Sequence, residues 1–344
     1  MVDLAYAYAN ARVKAMKDKL LDRDKVREMM DVRTLPEVIE MLEESPYKKH
    51  FVRASTKHSG VELVRKALDS NLVESFRKVW EFAPAKAKPV IAILLQQWEI
   101  NNLKKALASK ALGRKPTMDD FIVLPGPGEV LLSKIVENEG GLEDLSKILD
   151  NTEYGQVYHK ALGEYKKSGD FRVMLSALDD YYFRVLSRSV FSGGLDDLTR
   201  NFLSRKLDYA AVIAILRMKQ SGVQPSEMRK YLVYAGVRQQ MLEKMISASS
   251  VPAAVELMAG DVFVDPAVLK AKADAKDIAA IELELEKALL KLARKTLSRS
   301  VLSLGALVGF LFLKQEEVHS IRKIAYATQF EVKQDLRDAV LAAV

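Results

Sequence analysis

The residues best suited to chemistry in this chain gather in QQWEINNLKKALASKALG, residues 96–113, where Glu99, Asn101 and Asn102 precede a Leu/Ala/Lys helix. A carboxylate beside two carboxamides suits a catalytic site, a helix cap or a contact surface. Asparagine is a poor helix-interior residue, because its side chain competes for backbone hydrogen bonds. Helical spacing places Glu99, Asn102 and Leu103 on one face, with Lys104 about 140° from Glu99. The pattern predicts a partly buried Glu99–Asn102 hydrogen bond that fixes one helix against the next.

Elsewhere no catalytic constellation emerges. The chain has no cysteine, which removes disulfides, thiolate zinc sites and cysteine nucleophiles together. LPGPGEV (124–130) lacks the lysine and spacing that cradle phosphates and reads as a loop. The four histidines (His50, His58, His159, His319) show no ligand spacing. The pairs Asp179–Asp180 and Asp196–Asp197 are neighbours in sequence, so on a helix their carboxylates diverge and suit caps or solvated surface. No basic block interleaved with aromatics points to nucleic acid. An enzyme would therefore need a deep pocket of perturbed carboxylates that carries no sequence signature.

The elements that must position these residues are helices. At 344 residues, 49% hydrophobic and 29% charged, the chain has the composition of an ordinary folded protein with room for two or three domains. The net charge of +7 is mild for this length and fits a mixed polar surface. MVDLAYAYANARVKAM is broken by charges and does not read as a secretory signal. The longest uncharged apolar run, Ser300–Leu313, is too short to span a bilayer and reads as a core helix. Thr34 with Glu37 and Ser59 with Glu62 have capping-box spacing, and Asp265-Pro266 has the order of an N-cap and first helical residue. Residues 281–297 run from Glu282, Glu284 and Glu286 to Lys291, Arg294 and Lys295, the charge order a helix dipole favours. Only FIVLP (121–125) has a strand-like run, so the fold class is all-α.

Repetition adds organisation. Glu99, Asp208 and Glu317 are spaced 109 residues apart at each step, and each is followed four residues on by an aliphatic: Leu103, Val212, Ile321. A weaker fourth copy has Asn10 and Arg12 where this one has Asn102 and Lys104. A second segment recurs in the same order, with Leu42–Tyr47 answering Leu149–Tyr154. Two segments recurring in order indicate a repeated helical domain.

WEINNLKKALASKALG, with YAYANARVKAM upstream and FLFLKQEEVHSIRKIAYA downstream, resembles the C subunit of archaeal and bacterial A/V-type rotary ATPases, a family that includes the d subunit of the eukaryotic vacuolar ATPase. Its N-terminal segment is matched by Tyr6, Tyr8, Asn10, Ala11, Arg12 and Val13. The mid-chain helix is matched by Trp98, Glu99, Asn102, Leu103 and Lys104, and the C-terminal one by Lys314, Glu316, Glu317, Ile321, Arg322 and Ile324. Ala211 and Ser320 stand where the family tends to place asparagine, and Ile213 where it places a basic residue.

The resemblance implies an all-α funnel of three similar helical domains around a pseudo-threefold axis. The domains would cover 1–97, 98–206 and 207–316, with 317–344 starting a further repeat packed on the first. It implies a non-catalytic central-stalk rotor subunit without cofactor or metal, peripheral on the cytoplasmic side of the cell membrane. Its partners would be the central shaft subunits and the membrane proteolipid ring, and torque passing through it would serve ATP synthesis or ATP-driven hydrogen-ion transport. Arg12, Asn102, Lys104 and Arg322 are the candidate partner-binding residues. A helical-repeat adaptor outside any rotary motor is the alternative.

Overall fold

The structure is a computed structural model that describes residues 4–124, 128–231, 238–261 and 263–331. The last residues of the expected C-terminal element, 332–344, and part of the 124–130 loop lie outside the described residues. Among those described the chain is all-α, with seventeen α-helices, one 3₁₀ turn and no strand. FIVLP contributes an irregular extended segment.

The first helices are α1 (Leu4–Lys17), α2 (Arg23–Asp31), α3 (Leu35–Glu43), α4 (Lys48–Ala54) and α5 (Gly60–Phe82). Then come α6 (Lys88–Ala111), α7 (Gly128–Glu137), α8 (Leu142–Leu149), α9 (Gly155–Ser168) and α10 (Arg172–Phe191). The remainder are α11 (Asp197–Gln220), α12 (Pro225–Tyr231), α13 (Gln239–Ser247), α14 (Val251–Glu256), α15 (Pro266–Asp274), α16 (Ile278–Arg299) and α17 (Gly305–Gln329). The chain divides into two compact units, one of Met1–Ala85 with Gly194–Val344 and one of Lys86–Gly193. The expected boundaries at 97/98, 206/207 and 316/317 all fall inside long helices, respectively α6, α11 and α17.

Helix starts follow local chemistry. Asp22, Asp196, Ser250, Asp265 and Asp277 each accept a backbone N–H of the first turn, satisfying donors that the helix leaves unpaired. The Thr34 and Ser59 capping boxes do not form, although α3 and α5 begin where they predict. Glu37 instead accepts the Arg33 N–H at 2.9 Å, and Glu62 is taken by the Arg65 guanidinium at 2.8 Å, a stronger charge-assisted partner than an exposed amide.

In the larger unit, α17 is the central element, packed by α1, α5 and α16 and buried almost continuously from Gly305 to Leu311. The apolar run 300–313 thus contains a turn at 300–304, where Val301 is exposed, followed by a core helix. In the smaller unit, α6 packs on α10 and buries Trp98, Ile100 and Leu103. Trp80 is half-buried. Of the alanines in α1, only Ala9 is buried, so close small-residue packing is confined to one turn.

One buried histidine gives the fold a pH dependence. His50 on α4 is 1% exposed, with Nδ1 2.8 Å from Ser70 Oγ and Nε2 3.3 Å from Glu74. Burial lowers its pKa to about 4, against the opposing pull of Glu74. Below the unfolded value of about 6.5 the unfolded chain takes up a proton that the folded chain refuses, so stability falls as pH drops from 6.5 to 4. His50 is expected to account for up to about 3 kcal/mol of that loss. Urea unfolding at pH 7 and pH 4.5 checks it: His50→Gln should show a shallower decline than the wild type.

Candidate functional site

The three evenly spaced acids sit in the middle of long helices, not at their starts, and each docks on the N-terminal end of a separate short helix. Glu317 on α17 accepts the Leu21 N–H at 2.6 Å, just before α2. Glu99 on α6 lies against Gly128, the first residue of α7; a Cβ there would come within 3.0 Å of the Glu99 Cδ. Asp208 on α11 lies near the Arg238 backbone amide, just before α13. A carboxylate at a helix N-terminus faces unpaired N–H groups and the positive end of the helix dipole.

Two of the long helices also hold the opposite end. Lys110, eleven residues beyond Glu99, donates to the carbonyls of Asn138 at 2.6 Å and Gly140 at 2.8 Å, past the end of α7. Lys219, eleven residues beyond Asp208, donates to those of Ile246 at 2.8 Å and Ala248 at 2.6 Å, at the end of α13. Eleven residues are about three turns. One long helix thus clasps a short one at both ends, acid on the positive pole and lysine on the negative. On α17 the corresponding position is Thr328, which has no charge to offer.

Each acid also meets a recurring turn. Ser45 and Thr152 hydroxyls accept the N–H of Tyr47 and Tyr154, both at 3.2 Å. A third version, without a sequence signature, has Asp261 accepting the Phe263 N–H at 3.1 Å. The first two turns deliver tyrosines to the acids. Tyr47 donates its hydroxyl to Glu317, and Lys314 donates to the Tyr47 hydroxyl at 2.8 Å and to Glu317 at 2.6 Å. Tyr154 comes near Glu99, its buried hydroxyl without a hydrogen-bond partner among the described residues. In the third copy Asp261 itself is the hub, accepting from Arg205 at 2.5 Å, Tyr209 at 3.0 Å and Arg238 at 3.2 Å.

Burial dominates the electrostatics. It raises the pKa of Glu99, with Glu153 adding to the effect and the nearby Tyr154 hydroxyl opposing it. It pushes Asp208 up to about 6, against the Arg238 amide and the charges of Arg205 and Arg238. Lys314 is lowered by burial and pulled back by Glu317. These groups are engaged in holding helices together. Among the described residues, no group of His, Asp or Glu is placed to hold a metal ion. No described helix is long and apolar enough to cross a membrane.

Of the four candidate contact residues, Arg12 and Arg322 belong to the larger unit and Asn102 and Lys104 to the smaller. Asn102 is buried and forms a two-way pair with the backbone of Ile122, donating to its carbonyl at 2.8 Å and accepting its N–H at 3.1 Å. That corrects the expected Glu99–Asn102 bond. The carboxamide matches a peptide group and supplies the partners that the extended segment 121–124 would find in a sheet. Lys104 donates to both carboxylate oxygens of Asp179 on α10, at 2.8 and 2.6 Å. Arg322 pairs with Asp69 on α5 at 2.6 Å. Arg12 alone is exposed: it donates to the Tyr8 hydroxyl at 3.1 Å and lies over the rings of Tyr8 and Phe82 at 5.7 and 5.5 Å.

Comparison with known proteins places this chain beside rotary ATP synthase subunits. Residues 9–337 match the family described as ATP synthase (C/AC39) subunit. The chain is 25% identical over 332 residues to the C subunit of the A-type ATP synthase of Methanocaldococcus jannaschii, covering 94% of this chain and 83% of that protein. It is 28% identical over 333 residues to the C subunit from Methanothermobacter thermautotrophicus, covering 93% and 83%. With the C subunit from Pyrococcus horikoshii it shares 26% over 333 residues, covering 95% and 88%. A match that runs over nearly the whole chain leaves no large part unaccounted for: this chain belongs to the ATP synthase (C/AC39) subunit family.

Proposed function

We propose that this protein is a non-catalytic central-stalk subunit of an A/V-type rotary ATP synthase. In this reading it is a socket that links the central shaft to the membrane proteolipid ring and passes torque between them. The observation that carries the reading is family membership along the chain, with relatives named as C subunits of A-type ATP synthases. The clasps support it physically. A torque-bearing part needs helices that do not slide, and charge pairs at both ends of α7 and α13 resist sliding along the helix axis. The local recurrence of acid, short helix and turn suits three similar domains around a pseudo-threefold axis, with α17 completing the first. The protein would then sit peripherally, on the cytoplasmic side of the membrane.

Arg12 is the best probe of the partner surface, because it is exposed and holds no ion pair among the described residues. Reversing Arg322 would place a second carboxylate beside Asp69 and confuse binding with folding. In pull-downs with shaft subunits and with the proteolipid ring, the wild type should capture both. Arg12→Glu should weaken one of them by about tenfold while thermal stability changes little, since an exposed cation–π contact is worth only about 0.5–1 kcal/mol. Failure to capture either partner would sink the stalk reading and favour a helical-repeat adaptor. Unchanged binding by the variant would remove Arg12 from the interface.

A further inference from the structure

A cavity of about 380 Å³ lies within the larger unit, walled by the end of α1, the turn before α4, and helices α5 and α17. It plays no part in the clasps. Its lining is unusually basic: Lys19, Lys49 and Lys78 converge on it, and Lys314 closes it from behind. The only carboxylate among its lining residues is Glu74. Lys314 is already neutralised by Glu317, so three lysines face one acid. Glu74 accepts from both Lys49 and Lys78 through the same oxygen, which draws the two ammonium groups together at the cavity wall. Lys19 is exposed and makes no ion pair among the described residues.

One feature distinguishes this cavity from a chance patch of surface lysines. It has an apolar floor that includes Leu20 and Phe310, the latter 1% exposed. Lysines recognise phosphate as point charges, and the apolar floor suits the uncharged body of the same molecule.

We infer that this cavity binds a phosphate ester, with the phosphate on Lys19, Lys49 and Lys78 and the uncharged body of the molecule on the apolar floor. The volume suits a sugar phosphate or a nucleoside monophosphate. The same chemistry is offered by a phosphorylated inositol headgroup at a membrane surface, and the probes below separate the two sources. The site is independent of the stalk reading, because binding requires only this chain.

The test is calorimetric titration of the full chain with ribose 5-phosphate, AMP, ribose and inorganic phosphate. Flotation with phosphatidylcholine vesicles, with and without phosphatidylinositol phosphate, runs in parallel. Saturable binding of the hydroxylated esters is expected, tighter than inorganic phosphate, with ribose inert. The Lys19→Gln/Lys78→Gln double variant should lose about tenfold in affinity, and the exposed Lys57→Gln should lose nothing. Binding to the phosphoinositide vesicles alone, lost in the double variant, supports the same site and assigns it a lipid headgroup. Absence of binding to every phosphate probe, or equal affinity in the double variant, overturns the inference.

Discussion

Replacing Glu317 with glutamine is expected to destabilise the larger unit by about 3–5 kcal/mol, the cost of leaving a buried charge without its partner. Lys314 and Glu317 have side chains only 6% exposed each, and Tyr47 is fully buried between them, its ring 4.3 Å from the Lys314 ammonium. Glutamine keeps the shape and an acceptor for the Tyr47 hydroxyl but removes the only carboxylate bonded to Lys314 among the described residues. Burial already lowers the Lys314 pKa, and Glu317 is what pulls it back. In the variant the lysine therefore has a folded pKa well below its unfolded one. Between those two values the unfolded chain binds more protons, so stability rises with pH and the deficit should narrow from pH 7 to pH 9. Adding Lys314→Met should recover part of the loss, because a buried pair replaced by apolar groups costs less than a pair broken on one side.

The same substitution at the corresponding position of the smaller unit provides the contrast. Three residues before Glu99 stands Gln96, where Lys314 precedes Glu317 and Arg205 precedes Asp208. Glu99→Gln leaves no cation stranded, and burial already raises the pKa of that carboxyl. Its cost should stay near that of one altered hydrogen bond, about 1 kcal/mol. Urea unfolding of both variants reads the difference directly, and equal losses would show that the carboxylates act as spacers rather than as countercharges.

This difference explains which parts of the site are legible in the sequence. The spacing of 109 residues is visible because three acids and the aliphatics after them recur. Their partners are not: Leu21 and Tyr47 lie 296 and 270 residues from Glu317, and no local pattern joins them. Helical geometry points Asn102 to Glu99, because it puts both on one face. An extended segment with unpaired backbone groups is the stronger claimant, and nothing local announces it. The turn of the third copy is hidden because Asp261 and Phe263 replace a hydroxyl residue and a tyrosine. Helix positions follow from periodicity and punctuation, yet two capping boxes with correct spacing lose their glutamates to a basic neighbour or an adjacent amide.

Substituting Gly309 is the most damaging single change expected in the packing of α16 on α17. A Cβ at Gly309 would lie 2.8 Å from the carbonyl oxygen of Ala293 and 3.0 Å from the backbone N and Cβ of Leu297. Backbone atoms of a neighbouring helix cannot turn aside as a flexible side chain does, so the two helices must separate. Both faces there are buried, with Ala293, Leu297 and Phe310 at 1% exposure or less. Opening such a core costs about 1–3 kcal/mol for one inserted carbon, and Gly309→Val, with two more carbons on a branched Cβ, should exceed the top of that range. The gain in helix propensity from Gly309→Ala, about 1 kcal/mol, is too small to reverse the sign. Gly163 in α9 isolates that opposing term: it is equally inside a helix, but a Cβ there meets nothing within 4 Å. Gly163→Ala should therefore stabilise by about 0.5–1 kcal/mol. Opposite signs for the two alanine variants, read from urea midpoints, would establish that close approach of α16 and α17, rather than any general intolerance of alanine, fixes glycine at 309.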